Sequence, residues 1–474
     1  LAVSAYLTCF HRYEFVFFLM SPRLLFLIVF IEGFCSLGAE VIALRRLVPH
    51  VGSAIVVTAP TIGFFLLALA LGYASGARVA TRFGDVVARN FRISALLAGV
   101  GLARWTVDGL FHTIQPSWLA YLIFVGGVLC PLAWLLGQTV PVLTNLMTHQ
   151  RRGESSGYAL YWSTLGSFLG AVSLSLLVMQ WLGVAAAVLC CSLLLALGSL
   201  LPNMGQRNPW RARGWWQPVL LTWLSMVVSL GFNLYPPQSV SDTAYADYTV
   251  QRYDRAQSID LRGFLINNSL ASQMDDSDPP RYARYVKHLR HILLQELGMA
   301  QRDILVLGAG GFTLSHQEPS NRYTYVDIDP KIRELAEQQF LKAPIQGDFV
   351  VDDARRYVRT TENRYDAVVV DAYSSHTSIP SHLVTREFWH DTRRVLKPQG
   401  VLLINLILDG RLESVFARNL LATIEEVYGR CATEVLHKNQ PLSNVIVSCY
   451  PSSRPAVTAP YTDERNTADL DRAL

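Results

Sequence analysis

The sequence predicts a two-part chain: an N-terminal α-helical bundle of about six or seven membrane spans, then a C-terminal α/β domain on a doubly wound parallel, Rossmann-like sheet, with a small β-hairpin region before it. Three observations carry this. The 474 residues exceed what one ordinary core accommodates. Up to about Tyr235 the apolar runs reach the roughly 20 residues that cross a bilayer. From Pro236 onward charges recur every few residues, and short apolar runs alternate with gaps of helix length. The expected parts are therefore an integral membrane domain over 1–235, an α/β domain over 236–451, and a disordered tail over 452–474, whose closing segment lacks apolar periodicity. The run MSPRLLFLIVF offers a start at Met20, and no small-residue cleavage site precedes Glu40, so the first span is read as uncleaved.

In the first part, seven candidate spans fall near 24–44, 53–75, 93–114, 117–146, 157–182, 184–203 and 216–235. Arg104 and Asp108 interrupt the third span at a spacing that lets them neutralise each other on one helix face. Glu32 and Glu40 in the first span need partners, with Arg45 and Arg46 the expected ones. Small residues, as in GYALYWSTLGSFLGAVSLSLL from Gly157, permit close helix packing. A net charge of +4 with 16% charged residues leaves no basic stripe, which argues against nucleic acid as a partner. Seven cysteines without a CxxC pair read as buried thiols, with neither a metal site nor a disulfide framework.

In the second part, ADYTVQRYDRAQSIDLRGFLINNS from Ala244 suits a β-hairpin region, and PPRYARYVKHLRHILLQEL places apolar residues at helical spacing. Strands are expected at 304–307, 323–326, 349–351, 367–370 and 401–406. Ligands bind outside the C-terminal ends of such strands. Gly308, Gly310 and Gly311 follow the first of them, where missing side chains let backbone approach a ligand. Asp327 ends the next, placed to accept both hydroxyls of a ribose. The glycine spacing lacks the dinucleotide fingerprint, which disfavours NAD and favours another adenosine ligand. Asp353 in VVDDARRY can accept from an adenine amine or cap the following helix, and can do both. Asp371 ends the hydrophobic run AVVVD at the rim of the sheet, where a carboxylate can serve as a base.

Together these residues resemble the spermidine synthase family of polyamine aminopropyltransferases, specifically the branch fused to an N-terminal membrane domain. The likeness covers about Ala244 to Cys449, and EGFCSLGAEVIALRRLVPHVGSAIVVTAPTIGFFLLALALGYASG and LGQTVPVL extend it into the first part. The resemblance implies that Gly308–Gly311 lie against decarboxylated S-adenosylmethionine, that Asp327 holds its ribose and Asp353 its adenine, and that Asp371 takes the proton from the attacking amine. It implies a small-molecule amine acceptor, putrescine in the family, a lipid bilayer around the first part, and no metal. Dimers are usual in the family, so a homodimer is an expected state. SSHTSIPSHLVTREFW, from Ser374, resembles the flap over the acceptor; Tyr373 can stack on a ligand there, and His376 and His382 read as solvated loop residues.

This chain departs from the family pattern at three acids. Gly311 stands where family members carry an acid, Ser374 where they carry a second aspartate, and RYARYVKHL has none where they carry a glutamate. Weakened provision for a diamine follows, so the acceptor can differ from putrescine, or ordinary S-adenosylmethionine can be the donor for methyl transfer. A non-catalytic membrane carrier or sensor that binds an adenosyl compound is the alternative of another class. Arginine clusters after spans two, four and six mark those loops as cytoplasmic, which would put the C-terminal domain on the opposite face after seven crossings. Because the donor is made in the cytoplasm, the preferred reading is an inner-membrane protein with a cytoplasmic C-terminal domain. The Trp-rich segment from Trp215 would then be interfacial or re-entrant.

Overall fold

A computed structural model describes residues 22–52, 55–145, 152–204, 216–234, 240–254, 260–373, 379–438, 440–450, 461–463 and 468. The chain divides into an N-terminal helical unit and a C-terminal α/β unit that starts in earnest at Tyr245.

In the N-terminal unit, Arg23–Val51, Ile55–Gly76, Ser117–Thr144, Ser156–Leu182 and Trp216–Leu234 are each long and apolar enough to cross a membrane. The third expected span differs. It begins earlier, as Phe83–Gly101, and meets Arg104–Thr113 at 63°. Gly99 and Gly101 lie just before that break, where helix propensity is poor. Val184–Gly198 is a shorter apolar helix. The Trp-rich segment, expected at the interface or re-entrant, is a continuous helix over Trp216–Leu234.

Glycines bring two of these helices into backbone contact. A Cβ on Gly170 would stand 2.2 Å from the Phe34 carbonyl oxygen, and one on Gly33 would stand 2.0 Å from that of Ser163. Glu32 of the first helix finds another partner than expected. Glu32 accepts from the Ser163 hydroxyl at 2.9 Å, while Glu40 Oε2 has no partner among the described residues. Arg45 instead donates to the Thr243 carbonyl at 3.0 Å, and Arg46 pairs with Asp242 at 3.0 Å. Arg104 meets Asp108 at 3.1 Å as its spacing predicts, and also Asp242 at 2.7 Å. One buried arginine shared between two carboxylates keeps its charge compensated.

The C-terminal unit follows a short strand β1 (Val240–Asp242). Strands β2 (Asp247–Asp254), β3 (Asp260–Ile266) and β4 (Ser269–Met274) pair antiparallel. The β3–β4 turn is two residues, Asn267 and Asn268, both in the left-handed region that asparagine tolerates and tight hairpins require. A helix over Arg284–His291 leads to the main sheet. Its strands are β5 (Asp303–Leu307), β6 (Arg322–Asp327), β7 (Asp348–Val351), β8 (Tyr365–Val370), β9 (Leu396–Leu408), β10 (Ala432–Val435) and β11 (Ser443–Cys449). Their order is β10-β11-β9-β8-β5-β6-β7.

The sheet is therefore mixed rather than wholly parallel. Strands β5 to β9 pair parallel, and β11 and β10 add on antiparallel beside β9. The expected parallel core is present, but β11 pairs antiparallel, with no crossover helix between it and β10. That pairing sets Cys431 beside Cys449, and the two form a disulfide with Cα atoms 4.5 Å apart, against the expectation of thiols throughout. Of the expected tail, Tyr461 is 3% exposed, its ring against Phe416 and its backbone bonded to Arg386 and Thr423. Most of that segment lies outside the described residues.

Candidate functional site

The order of strands reverses at β5, which has β6 on one side and β8 on the other. Such a reversal leaves a crevice at the strands' C-terminal ends. Register decides what lines it. Leu307 is level with Val326 and with Val370, so the next residue of each strand, Gly308, Asp327 and Asp371, emerges at one height. Val370 is level with Ile404, which brings Asn405 beside Asp371.

A cavity of about 800 Å³ opens there, and Gly308, Gly310, Asp327, Asp353, Asp371 and Tyr373 all line it. Gly308 has φ +91°, and a Cβ on it would lie 2.3 Å from the Asp371 carbonyl oxygen. Only glycine fits so close a crossing of two strands. Gly311 plays another part from the one expected: its N–H donates to Ser272 Oγ at 3.0 Å, and a Cβ would strike the Phe340 ring at 2.4 Å. It packs β4 against the glycine turn and is absent from the cavity lining, so an acid at this position would have no room.

Asp327 accepts from the Ala309 N–H at 2.9 Å and the Asp329 N–H at 3.1 Å. These bonds favour its charged form, yet burial outweighs them and pushes the carboxyl up to about 6. Asp353 does what its sequence position allows twice over. Its Oδ1 caps the following helix through the Arg356 N–H at 2.9 Å, and its Oδ2 meets His382 Nε2 at 3.1 Å. The histidine, with burial opposing, holds this carboxyl below the ordinary value. His382, expected as a solvated loop residue, is exposed and also lines the cavity.

At Asp371, Oδ1 accepts from Asn405 Nδ2 at 2.8 Å. Burial pushes this carboxyl up to about 6, against the hydrogen bonds of Asn405 and Tyr285. It can therefore hold or give up a proton near neutrality. Asn405 is itself held, accepting from Asn444 Nδ2 at 2.9 Å. Tyr373 fixes the strand ends: its hydroxyl donates to the Asn405 carbonyl at 2.8 Å and accepts from the Ile407 N–H at 2.6 Å. Ser374 and His376 fall outside the described residues. No group of side chains suited to a metal ion occurs among the described residues.

Sequence reasoning missed Asn405, Asn444 and Tyr285. Asn405 had a signal: one amide, 3% exposed, inside the otherwise apolar run VLLINLIL. A buried amide needs partners, and the partner is often the functional group.

A family model described as a methyltransferase domain matches residues 305–400. A polyamine aminopropyltransferase of Vibrio vulnificus is 33% identical over 117 residues, covering 23% of this chain and 39% of its own length. One of Chromobacterium violaceum is 29% identical over 167 residues, covering 34% and 63%. The solved spermidine synthase of Thermotoga maritima is 14% identical, with a TM-score of 0.36 over 49% of this chain and 83% of its own. The chain thus spans about two fifths of the first curated relative it matches.

Proposed function

We propose, starting from a C-terminal unit that is spermidine synthase-like in family, that the protein transfers an aminopropyl group from decarboxylated S-adenosylmethionine to an amine. Asp371 is the observation that carries this. It stands at the strand reversal with Oδ1 anchored by Asn405, and its carboxyl titrates near 6 in the cavity that Asp327 also lines. In the proposed reaction Asp371 takes a proton from the acceptor's ammonium. The freed lone pair attacks the carbon beside the sulfonium, a C–N bond forms, and the C–S bond breaks to release neutral methylthioadenosine. Asp327 would hold the ribose, Asp353 and His382 the adenine, and Gly308 and Gly310 would leave room for the sulfonium end. Tyr373 would line the acceptor side, and Ser374, outside the described residues, would be a further contact of the acceptor in this proposal.

The proposal includes a bilayer around the N-terminal unit, supported by its five long apolar helices. It also includes an inner-membrane location with the C-terminal unit on the cytoplasmic side, supported by the chemistry of the donor alone and opposed by the Cys431–Cys449 disulfide. Methyl transfer from ordinary S-adenosylmethionine is the second reading, favoured by the methyltransferase-domain match over 305–400. One experiment separates the two. Purified, detergent-solubilised protein is incubated with either donor and a mixture of di- and polyamines, and products are identified by mass spectrometry. Aminopropylated amine with methylthioadenosine supports the first reading, and S-adenosylhomocysteine supports the second. Nucleoside binding without product from either donor would favour a binding-only carrier or sensor.

A further inference from the structure

The charges of the cavity are unevenly placed. Its acids are Asp327, Asp353 and Asp371, all following strands of the main sheet. All three are engaged, Asp327 with two backbone N–H groups, Asp353 with a helix end and His382, and Asp371 with the Asn405 amide. Another part of the lining, from β4, the start of the Arg284 helix, the segment before β11 and β11 itself, contributes no acid among the described residues. It presents Gln273, Arg284, His437, Gln440 and Asn444.

Arg284 is the one arginine among the described residues that line this cavity, and it is exposed. Arg262, Arg281, Arg302 and Arg322 each pair with a carboxylate. No carboxylate among the described residues pairs with Arg284, whose Nη1 meets only the His437 ring at Nδ1, 3.3 Å away. Adjacent Tyr285 lines the same cavity as Asp371, so Arg284 begins a turn of helix that borders the cavity of the candidate base. A diamine's far ammonium entering this wall would meet a guanidinium and no acid. A carboxylate would meet the fork of donors that suits it.

We propose that this wall is an anion subsite, and that Arg284 selects a substrate carrying a carboxylate beside its amine. The inference rests on the adenosyl reading above and deepens it. The carboxylate can belong to an amino-acid acceptor or to a donor that has kept its own, and the two sources are separable.

Two ligand pairs differ by one carboxylate each: L-ornithine against putrescine, and S-adenosylhomocysteine against its decarboxylated form. Calorimetry on the full detergent-solubilised chain measures all four, the amines on protein loaded with methylthioadenosine. Methylthioadenosine, which lacks the group that Arg284 reads, is the control ligand. The expected result is a preference of about tenfold or more for the carboxylate-bearing member of at least one pair, the size of a charged hydrogen bond. That preference should fall to near one in Arg284→Gln and survive, weakened, in Arg284→Lys, which keeps the charge without the fork. A preference in the ornithine pair assigns the carboxylate to the acceptor, and one in the homocysteine pair assigns it to the donor. Equal affinities, a preference for the decarboxylated members, or a preference that survives Arg284→Gln would overturn the subsite while leaving the adenosyl reading intact. Failure of wild type to bind methylthioadenosine would sink both.

Discussion

Replacing Asp371 by Asn changes one oxygen to an amide and leaves the shape of the side chain. The Asn405 Nδ2 that now donates at 2.8 Å still finds an acceptor in the new amide oxygen, so the strand ends keep their anchor. What disappears is proton acceptance. A positioned general base contributes about 10²–10⁴-fold, and turnover should fall by that factor. Adenosine affinity should hold within about threefold, because that end of the cavity keeps its partners. The pH profile adds a second reading of the same group. Burial raises the Asp371 carboxyl to about 6, and the reactive form is the charged one. Activity is therefore present above about pH 6 and is lost as pH falls through it, with kcat/KM dropping about tenfold per unit below. The Asn variant should show no such limb. Product formation by mass spectrometry across pH 5 to 9, with calorimetric binding alongside, makes the comparison. Turnover reduced less than about tenfold with affinity intact would refute Asp371 as the base.

Asn405→Ala removes a bond that favours the charged Asp371, so its carboxyl should rise further and the acid limb move to higher pH while the alkaline plateau persists; an unmoved limb would deny Asn405 a positioning role. Asp327→Asn should weaken adenosine binding about 10–100-fold by calorimetry, with melting as the check on folding, and unchanged affinity would remove Asp327 from the ribose site. Gly308→Ala places a methyl 2.3 Å from the Asp371 carbonyl oxygen at φ +91°, and should cost about 1–3 kcal/mol of stability in chemical denaturation of the solubilised protein. A variant as stable as wild type would mean that the crossing is looser than described.

The parts of this fold that the sequence announced are those written locally. Apolar runs ending in Asp327 and Asp371, and the glycine after Leu307, gave the parallel core and the height at which its ligand groups emerge. Asp353 showed its capping role in its own next three residues. What stayed hidden was decided by pairing between distant segments. Nothing in SNVIVSC specifies that it runs antiparallel to β9, and only that register sets Asn444 within reach of Asn405. Gly311 looked like its neighbours in a glycine cluster, yet the Phe340 ring from another element fills the space a ligand was expected to take. Glu32 likewise found Ser163, 131 positions away, rather than the arginines nearby in sequence.

The Cys431–Cys449 bond bridges a sequence separation of 18, and within that stretch lie His437, Gln440 and Asn444 of the cavity wall. With the bond broken, β10 is left at the sheet edge with its four-residue ladder to β11. Such bonds persist where thiols are oxidised and open where glutathione keeps them reduced. The oxidation state of this pair is consequently an address label. Alkylating the protein at the moment of cell lysis and weighing that fragment reports which compartment it came from: two added labels mark the reducing side of the membrane, and none marks the other.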